Sequence, residues 1–178
     1  MVDFSGVRAG TQSLAELAAS LSKDDLYRLN DELVDAALAL LEQAADHHVA
    51  FVARDASAEG ETGWSIAHVV AHATASSEEG AAHAAQLARG IPVEGRSRFE
   101  VPWESLTTVD EVRARLEDSR RIRRGYLDAW PSQPNLDVAW DVIPRFGPLN
   151  AVARFLLGAM HEDGHVQHLG EVLRQASA

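Results

Sequence analysis

The chain has 178 residues, 46% of them apolar and 24% charged, which is the composition of an ordinary globular domain long enough to bury a sizeable core. A formal net charge of −11 argues against a nucleic-acid backbone or an anionic membrane as partner. There is no cysteine, which excludes disulfides, thiolate ligands and a cysteine nucleophile. No stretch approaches the roughly 20 apolar residues of a membrane span, and the opening MVDFSGVRAGTQSL lacks the pattern of a secretory signal. A single domain over 1–178 in the cytoplasm is the expectation.

Four long helices are predicted in chain order. A short helical segment, Leu14 to Leu21, leads into the first, which is read from about Lys23 to Arg54. There Leu26, Leu29, Leu33, Ala37, Leu40, Ala44 and Phe51 recur at three- and four-residue spacing behind a Ser22 N-cap. Residues 56–63 read as a loop. The second helix starts after Trp64 with Ser65 as N-cap and stops at Gly90-Ile91-Pro92. A long connection with two prolines reaches the third helix, whose entrance is the Thr108/Glu111 capping box and whose end is marked by Pro131 and Pro134. The last helix is expected from Pro148, as an N1 proline, to about Gln175. Residues 137–143 are at best a short extended piece. Apolar stripes on four helices joined by long connections predict an all-α four-helix bundle.

Eight histidines carry the chemistry. His161, His165 and His168 lie in HEDGHVQH on the last helix. Four residues apart, His161 and His165 project within roughly 40° of one another, one turn apart, whereas His168 lies roughly 10 Å along the axis from His161. One ion can therefore be shared by the pair 161/165 or by 165/168. The second helix carries His68 and His72, with His72 at the edge of the apolar face and His68 further towards solvent. Two histidine stripes on the rims of facing helices would make a shallow polar site. HEDGH also fits the H-E-x-x-H pattern of zinc proteases, with Glu162 as base, although a third ligand and a substrate cleft would have to come from elsewhere.

Other polar groups have plainer readings. His47 and His48 are expected to pack beside the first helix, His83 to lie on the surface, and Glu78 and Glu79 to be solvated. Arg120, Arg121, Arg123 and Arg124 read as a solvated face paired with acids, or as a contact for an anionic substrate. Trp64, Trp103, Trp130 and Trp140 are expected under loops, with Trp103 and Trp140 placed to roof the site.

The segment Trp64-Ser65-Ile66-Ala67-His68-Val69-Val70-Ala71-His72 and the C-terminal HEDGHVQHLGEV together resemble the DinB/YfiT-like superfamily of metalloenzymes. The order of parts agrees as well, from a long first helix and Trp-Ser through a capped third helix to HxxxH. The resemblance covers nearly the whole chain, with about twenty residues carrying it. It implies a DinB-like bundle with one divalent metal, zinc or nickel, on His72, His161 and His165. His68 and His168 would be neighbours, and the protein a homodimer acting on a small molecule. Some relatives are S-transferases or isomerases that use a low-molecular-weight thiol of the mycothiol or bacillithiol type. Three imidazoles leave an open position on an ion that can activate water or a thiol. The expected function is thus a metal-dependent thiol transferase, with a metal-dependent hydrolase or a non-enzymatic metal-binding accessory protein as alternatives.

Overall fold

The computed structural model describes residues 2–54 and 63–178. Most of the predicted loop 56–63 therefore lies outside the described residues. The described chain is all-helical, its one β feature an isolated bridge between Trp140 and Leu149. Three short helices, α1 (Ser5–Arg8), α2 (Leu14–Ala18) and α4 (Asp46–Val49), accompany four long ones: α3 (Lys23–Leu41), α5 (Ile66–Ala88), α6 (Val109–Asp128) and α7 (Ala151–Ala176). No described helix is long and apolar enough to cross a membrane.

Side-chain caps set the starts. Ser22, Ser65, Thr108 and Asn150 each adopt extended backbone and accept a hydrogen bond from the N–H three residues on. Two predicted boundaries are corrected. The first long helix ends at Leu41 rather than continuing to Arg54, because Asp46 is recruited elsewhere: its Oδ1 accepts the Val109 N–H at the first turn of α6, 2.9 Å away. The last helix starts at Ala151, not at Pro148, because Leu149 is drawn into the bridge with Trp140 and Asn150 takes the cap.

The long helices contact one another in a ring: α5 with α7 and α6, and α3 with α6 and α7. α5 and α7 approach closely at a seam of small residues. A Cβ added to Gly80 would lie 3.3 Å from Gly158 Cα, and Ser77 Oγ lies 3.3 Å from the Gly158 carbonyl oxygen. Backbones this close let short side chains from both helices meet.

The buried apolar residues form two clusters, one around Leu26, Leu29, Trp140 and Leu156, the other around Leu41, Ile66, Val112 and Val172. On α5 their buried members stop at Val70 and resume at Ala81; on α7 they stop at Ala159 and resume at Leu169. Between the two clusters lies a polar belt in which buried groups must satisfy one another.

Candidate metal centre

The belt contains the histidines. His72 from α5 and His161 from α7 meet Nε2 to Nε2 at 3.4 Å, and His165, one turn further along α7, brings its own Nε2 to 3.3 Å from that of His161. The three candidate ligand atoms all lie within 4.8 Å of one another. His161 is thus paired with His165 and His72, and His168 is outside the cluster, which resolves the two pairings open in the sequence.

The two distances from His161 suit a common ion. Nitrogens about 2.0–2.1 Å from a tetrahedral zinc stand about 3.3–3.4 Å apart. Without an ion, one Nε2 atom of His161 would have to serve two other ring nitrogens, and it carries either one proton or one lone pair. A cation at the shared point satisfies all three lone pairs.

Electrostatics keep the ligands available. Burial, reinforced by the neighbouring imidazoles, pulls the pKa of His165 down to about 2, so its ring is neutral at pH 7. His72 is also lowered, first by burial and then by the charge of Arg98, with Glu100 opposing. The Nδ1 of His72 lies 3.3 Å from Glu100 Oε2. With Nδ1 protonated towards this carboxylate, Nε2 presents its lone pair to the other two histidines, the usual way a ligand imidazole is oriented.

Aromatic rings wall the cluster. Trp64 stacks on His165 with centroids 5.6 Å apart and planes 9° from parallel, and meets His72 edge-on at 4.9 Å. It also stacks on His68 at 4.2 Å, whose other neighbour is Trp103 at 5.4 Å. His68 is therefore part of an aromatic stack beside the site. His168 is buried against Trp64 and His165.

Glu162 does not take the role of a protease base. One residue beyond His161 the side chain is turned by about 100°, into the belt, where it is 2% exposed and forms a bidentate ion pair with the buried Arg123 of α6. Ser77 of α5 donates to the same carboxylate at 3.0 Å. This network ties α5, α6 and α7 together immediately behind the histidines.

Several plainer readings need correction. His83 is buried rather than superficial, hydrogen-bonded to Ser97 and Arg154, because the connection after α5 folds back over it. Glu79 is buried rather than solvated: Arg96 binds it at 2.8 Å and Arg154 at 3.4 Å. Glu78 is paired with Arg115. His47 is exposed on α4, and His48 closes the turn by accepting the Ala45 N–H. Arg120, Arg121 and Arg124 do form a solvated face paired with Asp35, Asp118 and Asp31, but Arg123 points inward.

A cavity of about 350 Å³ opens beside the cluster, with His72 and His161 in its wall. Trp140 lines it, whereas Trp103 stacks on His68 instead. Also lining it are Arg154 and, from the connection after α5, Arg96 and Arg98. Sequence reasoning missed these arginines. Arg154 lies seven residues before His161, on the same stripe of a helix that is otherwise apolar there, which was the available signal. No family model, no curated protein and no solved structure matches this chain.

Proposed function

We propose that the protein is a metal-dependent enzyme of the DinB/YfiT-like kind, a four-helix bundle that holds one divalent ion on His72, His161 and His165. The observation that carries this reading is the convergence of three imidazole nitrogens from two helices at separations suited to one ion, beside a cavity that gives a reactant access. The resemblance of the Trp-Ser and HEDGH segments supports it independently.

The reaction that fits best is transfer involving a low-molecular-weight thiol. A divalent ion with three neutral nitrogen ligands supplies Lewis acidity and lowers the pKa of an incoming thiol or water. The chain supplies no thiol of its own. A hydrolase would also use a free carboxylate as base, and Glu78, Glu79 and Glu162 are each held by an arginine, while Glu100 is engaged by His72 and Arg98. Thiol transfer is therefore favoured over hydrolysis. Here Glu100 orients His72, Trp64 fixes His165, and the cavity admits the electrophile.

The test is turnover of an electrophile by zinc- or nickel-loaded protein with mycothiol- or bacillithiol-type thiols, set against the metal-free protein and His161→Ala. Thiol-dependent product that requires both metal and His161 supports the proposal. Equal rates in all three samples would remove it.

A further inference from the structure

The cavity beside the histidines has a charge opposite to that of the molecule. In a chain of net charge −11, its wall carries five arginines, Arg8, Arg96, Arg98, Arg145 and Arg154, and a single carboxylate, Glu79. Among the described residues, the acids that contact these arginines from outside the wall are Asp163, paired with Arg8, and Glu100, 3.6 Å from Arg98. Five guanidinium groups therefore face three carboxylates.

Arg154 is the buried one of the five, the others being exposed. It is 3% exposed, its Nε is buried with no hydrogen-bond partner among the described residues, and its contact to Glu79 is 3.4 Å. That carboxylate is already held by Arg96 at 2.8 Å and by the Ser97 N–H at 2.5 Å. Burial pulls Arg154 down to about 10, which leaves it charged at neutral pH. Arg145 is exposed, lines the same cavity, and has no carboxylate partner among the described residues. Arg154 also meets His83 Nδ1 at 3.3 Å, but a desolvated guanidinium with one nitrogen unsatisfied is further stabilised by an anion.

Apart from Ser76 and the two histidines, the rest of the wall is apolar. Trp140, Leu157, Phe146 and Met160 line it, with the Arg154 guanidinium 4.5 Å above the Trp140 ring. Arg154 precedes His161 by seven residues and Glu79 follows His72 by seven, so the guanidinium end and the imidazole end are separated by about 10 Å along the helices.

We propose that this cavity selects a small organic anion: an apolar body with an oxyanion head, carboxylate or phosphate, that is met by Arg154 and Arg145 while the other end reaches His72 and His161. The inference rests on the metal-centre reading for what the second end meets, and on the arginines alone for the charge.

The test is calorimetric titration of zinc-loaded protein with 3-phenylpropanoate, phenyl phosphate and the uncharged 3-phenylpropanamide, with metal content measured on the same samples. Either anion is expected to bind at least about tenfold more tightly than the amide, a difference of about 1.4 kcal/mol, and the tighter one identifies the head group. Arg145→Gln should weaken the anion about three- to tenfold with the amide and the helical signal unchanged, and Arg154→Met should abolish the preference. Amide binding equal to the anions, no anion binding at millimolar concentration, or indifference to both substitutions would overturn the inference. Full zinc occupancy without anion preference sinks this proposal alone. Failure to take up zinc sinks the metal reading instead, and an anion preference persisting in such samples leaves the cavity assignment standing.

Discussion

Glu162 and Arg123 face each other across α7 and α6 as a bidentate pair, both side chains almost fully buried, directly behind the histidine that lies between two others. Removing one partner leaves the other charged and unpaired in the core. Glu162→Ala is expected to destabilise the fold by roughly 3–5 kcal/mol, whereas the double replacement Arg123→Met with Glu162→Leu should cost far less. Urea unfolding of the three proteins measures this. If the single variant is as stable as the double, the pair does not hold the belt together.

On the proposed reading the histidines divide into ligands and neighbours. Substituting His72, His161 or His165 by alanine is expected to weaken zinc binding by more than the roughly 10–100-fold typical of outer partners. His68→Ala and His168→Ala should retain a full equivalent. Elemental analysis and competition with a chelator distinguish the two groups, with circular dichroism as a control for folding. Equal loss in all five variants would break the distinction.

Acid should destabilise the metal-free protein as the pH falls below the ordinary histidine range. Burial, helped by the charge of Arg154, lowers His83 to about 4, and His165 is lowered to about 2, both from an ordinary 6.5. Below pH 6.5 the unfolded chain takes up protons at these positions while the folded one does not, so stability is full above 6.5 and declines as pH falls. For His83 the decline levels off near pH 4, after a loss of about a few kcal/mol. Unfolding midpoints at pH 7.5, 6 and 4.5 should fall in that order, and His83→Gln should flatten the fall. A midpoint that rises on acidification would contradict the assignment.

The seam between α5 and α7 has almost no slack. A Cβ at Gly80 would stand 3.1 Å from an Arg154 nitrogen as well as 3.3 Å from Gly158 Cα. Gly80→Val must therefore spread the helices and is expected to cost roughly 1–3 kcal/mol. Because His72 and His161 converge across this seam, zinc affinity should fall with it. Thermal melts and zinc titration of the same variant test both effects; lost stability with unchanged affinity would uncouple them.

Local signals in the chain carried much of the fold and the three clustered histidines. Ser65 and Thr108 cap helices where their side chains can reach the third N–H, and a four-residue histidine spacing is visible in any helix. What escaped was set by distant partners. Periodicity carried the first helix to Phe51, but the Asp46 carboxylate was claimed by Val109 from another part of the chain. His83 and Glu79 looked superficial because nothing near them in sequence covers them; Ser97 and Arg96 do so from the following connection. The close seam depends on Gly80 and Gly158 sitting opposite one another, a register that neither helix encodes alone.

The run from Arg96 to Glu100 touches the interior at four of its five residues: Arg96 at Glu79, Ser97 at Glu79 and His83, Arg98 at Ser76 and Glu100 at His72. This non-helical strip behaves as a detachable faceplate on a helical chassis. Connections tolerate replacement far better than packed helices do. Exchanging these five residues would therefore retune His72 and the entry vestibule together, while the scaffold beneath kept its shape.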